Sequence, residues 1–76
     1  MPLSEMAALA RRDVYLDYPF ERVMFRWDHR SRRVYRKFYG ESEGPDAVPP
    51  SNRLFNDALL YGEEVSEHAY LRGRAP

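Results

Sequence analysis

Apolar and polar positions alternate most clearly between residues 20 and 39, where Phe20–Asp28 and Arg33–Tyr39 are dense in β-branched and aromatic side chains. Asp28-His29-Arg30-Ser31-Arg32 separates the two runs. The pattern predicts a β-hairpin with strands at about 22–28 and 33–39. Asp28 and Ser31 can bond turn amides, and Arg32 falls where a left-handed residue is usual. Parity fixes the register, because a slip of one residue would send every side chain to the opposite face. With 29–32 as the loop, Asp28 pairs with Arg33, Trp27 with Val34, Phe25 with Arg36 and Val23 with Phe38. One face then carries Val23, Phe25, Trp27, Val34 and Phe38, with Arg36 as its sole charge. The other carries Arg22, Met24, Arg26, Arg33, Tyr35, Lys37 and Tyr39. The slipped register would set Arg33 and Lys37 beside Phe25 and Trp27.

The flanking segments follow other patterns. Ser4–Arg12 has good helix formers, a Ser able to cap, and Met6, Leu9 and Ala10 on one side, which predicts a short N-terminal helix. Asp13–Tyr18 is rich in β-favouring residues and is stopped by Pro19, so it reads as an edge strand or an extended lead-in. Residues 40–50, with glycines, prolines and acids interspersed, have the composition of an exposed loop. After Pro49-Pro50, Ser51 or Asn52 can cap a helix bearing Leu54, Phe55, Ala58, Leu59 and Tyr61 at helical spacing, and Gly62 marks its end. Glu63–Val65 breaks that pattern, Ser66 can cap again, and Glu67–Arg72 reads as a final short helix. A hairpin alone is marginal in water, so the two C-terminal helices are expected to pack together on the Val23/Phe25/Trp27 face. The whole is a single small α+β domain over residues 1–76, with 1–3 and 73–76 frayed.

Composition narrows the chemistry. A chain of 76 residues without cysteine has a thin core and no disulfide to supplement it, which makes a homodimer an expectation. The same absence removes thiolate catalysis and Cys-based metal sites. No apolar run approaches a membrane span and the start does not resemble a secretory signal, so the protein reads as cytoplasmic, with no membrane partner. Only His29 and His68 could serve as a base for the five serines, and His29 falls at a turn tip where a solvated residue is usual. His68 with Glu64 and Glu67 offers too few ligands for a metal if Ser66 restarts the helix. The four glycines stand apart, so there is no phosphate-cradling loop. The expectation is a protein with no catalytic, metal or cofactor site.

Charge supplies the sharpest functional signal. The formal net charge is zero, yet residues 20–40 carry seven basic side chains against two acids, and residues 41–72 carry two against seven. Arg22, Arg26, Arg30, Arg33 and Lys37, interleaved with Tyr35 and Tyr39, form a basic aromatic hairpin face. The face is either a solvated strand face or one paired with the chain's own Glu63, Glu64 and Glu67, or else it receives a protein partner with an acidic surface or nucleic acid. The leading expectation is a non-enzymatic accessory or regulatory module that binds another protein through this face, with nucleic-acid binding as the alternative. Arg36 is expected to lay its stem over Phe25 or Trp27.

Overall fold

A computed structural model describes residues 3–76 of the chain, with side chains described from residue 7 onward. Four strands, β1 (Val14–Tyr18), β2 (Val23–Asp28), β3 (Arg33–Phe38) and β4 (Glu63–Val65), form one antiparallel sheet in the order β3-β2-β1-β4. Two α-helices follow the hairpin, α1 (Arg53–Tyr61) and α2 (Glu67–Arg72). The architecture is therefore the expected small α+β fold.

The hairpin has the register that parity requires, from Val23 opposite Phe38 to Asp28 opposite Arg33. Asp28 closes the turn by accepting the amides of Arg30 and Ser31 at 3.0 and 3.3 Å, and Arg32 takes a left-handed φ of 57°. The strands are one residue shorter than expected at the open end. Arg22 is the left-handed C-cap of a 3-10 turn, Pro19–Glu21, and its carbonyl accepts the amide of Tyr39. Both residues sit just beyond the ladder.

Several expectations need correction. The N-terminal segment is a 3-10 helix over Leu3–Ala10, not an α-helix. So short a helix depends on its docking, and here the indole of Trp27 donates to the carbonyl of Leu9 at 2.6 Å while Ala8 is buried in the core. The cap and stripe roles expected of Ser4 and Met6 lie outside the described side chains. β1 is an interior strand, because Glu63–Val65, which breaks the helical pattern, pairs along its other side. Residues 40–50 are not a free loop: Gly44 and Val48 donate to the carbonyls of Arg36 and Val34, covering the outer edge of β3. With one edge covered and the other only three residues long, the sheet offers a second copy little to pair with.

The helices also do not share a face. Phe55 of α1 lies 5.6 Å from the Phe25 ring and 6.4 Å from that of Trp27, and with Ala58 and Leu59 it seals the face of Val14, Leu16, Val23 and Val34. Tyr70 of α2 packs 5.5 Å from Tyr15, which points to the opposite side. The sheet is thus sandwiched, because β4 carries the chain from one face to the other. Arg36 follows a different course from the one expected: its guanidinium sits 5.0 Å over Phe38.

Capping works as the sequence suggests at two points. Asn52 accepts the Phe55 amide and Ser66 that of Ala69, each at 3.0 Å. Gly62 ends α1 for a reason unlike the usual left-handed cap. Its φ is −81°, but an added Cβ would lie 2.6 Å from the Ala58 carbonyl oxygen and 2.9 Å from that of Asp17. Glycine is required there by crowding.

Candidate functional site

The basic aromatic face is assembled as expected, but most of it is occupied by the chain itself. Arg26 donates through Nε and a terminal nitrogen to the two carboxylate oxygens of Glu43, at 2.9 and 3.0 Å. The hydroxyl of Tyr70 donates to the same carboxylate at 2.6 Å, and the Arg26 guanidinium lies 4.3 Å over the ring of Tyr35. Charge-assisted, bidentate geometry of this kind is the strong form of an ion pair. The Arg26 guanidinium holds the Glu43 carboxyl below its ordinary value, with the Tyr70 hydroxyl adding to the effect. Burial, and then Glu43, pushes the Tyr70 hydroxyl far upward.

Lys37 is engaged as well. Its ammonium donates to the carbonyls of Tyr70 and Leu71 at 2.6 and 3.2 Å, and stands 5.0 Å over the Tyr70 ring. A cation on the last carbonyls of a helix satisfies orphan acceptors and complements the helix dipole. Tyr39 donates at 2.5 Å to Asp17, a buried carboxylate that also receives Arg74 at 3.2 Å. Burial and then Asp17 push the Tyr39 hydroxyl up to about 12. The tail, expected to fray, runs back here, with the Gly40 amide donating to the Arg74 carbonyl.

Of the seven residues singled out in the sequence, then, Arg26, Tyr35, Lys37 and Tyr39 form an internal seat for α2, the 40–50 segment and the tail. Arg30 and Arg33 are exposed at the hairpin tip, and Arg22 is exposed at the opposite end of β2. Two of the three acids expected to neutralise the face are engaged elsewhere. Glu64 takes a bidentate pair from Arg12, and Glu67 accepts the Tyr15 hydroxyl at 3.2 Å. Glu43 takes their place. Its position in a connector gave no hint of this, since nothing in sequence ties residue 43 to residue 26.

Among the described residues, one trio has metal-ligand types close together: Asp13, Asp28 and His29, with candidate atoms within 4.8 Å. Asp13 accepts the His29 amide at 3.0 Å and meets its Nδ1 at 2.6 Å, which lowers the Asp13 carboxyl below its ordinary value. Asp28 is spent on the turn amides. The trio ties the hairpin tip to β1, and no nucleophile stands beside the imidazole in these contacts. A cleft of about 490 Å³ lies between β1, β2 and α2, but Arg26, Glu43, Lys37 and Tyr70 along it are bonded to one another or to α2. Nucleic acid, the alternative occupant of the basic face, gains no support from this arrangement, because its central phosphate contacts are already taken. No described helix is long and apolar enough to cross a membrane.

What sequence reasoning passed over is apolar and lies at the open end of the hairpin. Phe20 is 82% exposed and Tyr61 72% exposed, with Leu60 and Phe38 also exposed. Phe20 sits in the 3-10 turn between β1 and β2, Phe38 at the end of β3, and Leu60 and Tyr61 at the end of α1.

Comparison with known proteins accounts for the chain along nearly its whole length. The family model of the Tis1 immunity protein matches residues 1–74. The immune protein Tis1 of Pseudomonas aeruginosa (strain UCBPP-PA14) is 49% identical over 73 residues, covering 96% of this chain and 95% of the relative. A chain in the crystal structure of the complex between the type VI effector Tas1 and its immunity protein superposes with a TM-score of 0.88 at 51% identity, covering 90% of each chain. By matched length and identity, the sandwiched four-stranded chain belongs to the Tis1 immunity protein family.

Proposed function

We propose that this chain is an effector immunity protein, which binds a type VI effector of the Tas1 kind and neutralises it in a stable complex without chemistry of its own. The observation that carries the reading is the end-to-end match, 49% identical over 96% of the chain, to the immune protein Tis1. Fold agreement with a chain from an effector–immunity complex supports it. The internal use of Arg26, Lys37 and Tyr39 supports a binding role that lies elsewhere on the surface than the centre of the hairpin face. A partner that had to break the Arg26–Glu43–Tyr70 network first would lose more than it gained.

The test is direct. Titration calorimetry of the purified chain against Tas1, and against the Tas1 homologue of the host that makes this chain, should give a one-to-one complex with at least one of them. Co-expression should protect cells from that effector. Absence of binding to both, together with absence of protection, overturns the reading.

A further inference from the structure

We infer that the open end of the hairpin, centred on Phe20 and Tyr61 and bordered by Glu21, Asp57 and Glu63, is the surface that docks on the effector, and that it receives a basic segment of that partner. The inference rests on the effector-binding reading proposed above and specifies its contact.

Five large apolar side chains are exposed among the described residues: Phe20, Phe38, Leu60, Tyr61 and Leu71. The first four gather at one end of the molecule. The ladder sets Tyr18 beside Val23 and Val23 beside Phe38, so this edge of the sheet is continuous. The Phe20 ring stands 6.2 Å from that of Tyr18. Asp57, Glu21 and Tyr61 all lie close enough to Tyr18 to act on its hydroxyl, which, with burial as the main cause, is raised above its ordinary value. Glu63, two residues after Tyr61, pairs with Asp17, so two segments far apart in sequence, the 3-10 turn at 19–21 and the end of α1, lie at the same end of β1. A cluster of exposed aromatics with a polar rim is the composition of an interface core, since single exposed apolar residues are scattered on an ordinary surface.

The rim decides the occupant. Glu21 is adjacent to Phe20, Asp57 is one helical turn before Tyr61, and Glu63 opens β4 two residues after it. Arg22 and Arg36 also lie at this end and Arg53, one turn back on α1, reaches Asp57, but Arg36 is turned over Phe38 and Arg53 stands 4.0 Å from the carboxylate on an exposed side chain, an arrangement a partner cation can displace. Aromatic faces beside carboxylates suit arginine or lysine, which can stack on the ring while pairing with the acid. A polyanion is the wrong ligand for such a rim, and an acidic protein surface is equally disfavoured.

The experiment measures affinity for the effector by calorimetry or biolayer interferometry, using whichever of Tas1 or its host homologue binds the wild type. Phe20→Ala and Tyr61→Ala should each weaken binding at least tenfold, and Glu21→Arg with Asp57→Arg should do the same. Leu71→Ala, a matched truncation of the exposed apolar residue on α2, should change it by less than threefold. All these sites except Asp57 are well exposed, and unaltered circular dichroism and melting show that each variant is folded. Wild type that binds neither effector overturns the functional reading itself. Wild-type binding with no loss in Phe20→Ala and Tyr61→Ala overturns the surface alone. A wild-type dimer that these substitutions disrupt while effector affinity stands also overturns it, because the patch would then serve a second copy of the chain.

Discussion

Glu43 accepts three hydrogen bonds, two from Arg26 and one from Tyr70, in a partly buried position between β2 and α2. Its carboxyl is held below the ordinary value of 4.5, chiefly by Arg26. A carboxyl depressed in the folded state binds its proton more readily when unfolded, so this interaction stabilises the fold fully above about pH 4.5 and is lost as pH falls through the depressed value. Glu43→Gln should cost about 1–2 kcal/mol at neutral pH, because Arg26 is left without its charge partner. Urea midpoints measured from pH 7 downward should also fall less steeply in the variant. Asp13 and Glu64 are depressed too, so some acid sensitivity remains. Gly62 makes the complementary case, in which an absent side chain is the requirement. Its would-be Cβ meets two backbone oxygens that no rotamer change can move, and Gly62→Ala should destabilise by about 1–3 kcal/mol in the same assay.

The smallest elements decide how the larger ones are arranged. β4 is three residues long, yet it makes β1 an interior strand and delivers α2 to the face opposite α1. The tail contributes through Arg74, which faces the buried Asp17 already bonded to Tyr39. Removing residues 73–76 should therefore cost about 1–3 kcal/mol by leaving that carboxylate with fewer partners, a loss readable in thermal or urea unfolding. These dependencies also mark where sequence reasoning ends. The hairpin register was legible because a buried face imposes parity on every residue from Val23 to Phe38. The caps at Asn52 and Ser66 were legible because they act over three residues. Glu63–Val65 was not, since three residues carry too little periodicity to reveal a strand, and its partner lies some fifty positions upstream. The basic face could be read as a face, but not as an occupied one, because Glu43 and the carbonyls of α2 reach it only through tertiary structure.

At the scale of the whole molecule, one ion pair, Arg26 with Glu43, joins the basic stretch 20–40 to the acidic stretch 41–72, while Arg12 with Glu64 and Arg74 with Asp17 each draw on a charge from outside them. What remains is a basic hairpin tip, with Arg30, Arg32 and Arg33 exposed, at the far end of β2 from Phe20 and Glu21. Five strand steps from Val23 to Asp28 at about 3.3 Å each separate the two by roughly 17 Å. That is about two Debye lengths at physiological ionic strength, but well within the ~30 Å of a 10 mM solution. If a basic effector segment docks at the aromatic end, the tip arginines repel it only when salt is low. Arg30→Glu with Arg33→Glu should then raise the association rate severalfold at 10 mM salt and by less than twofold at 150 mM, with the dissociation rate unchanged at both, as stopped-flow measurements can resolve. A slower association and a faster dissociation in that variant would carry the opposite meaning, since only direct contact between the tip and an acidic partner surface produces both.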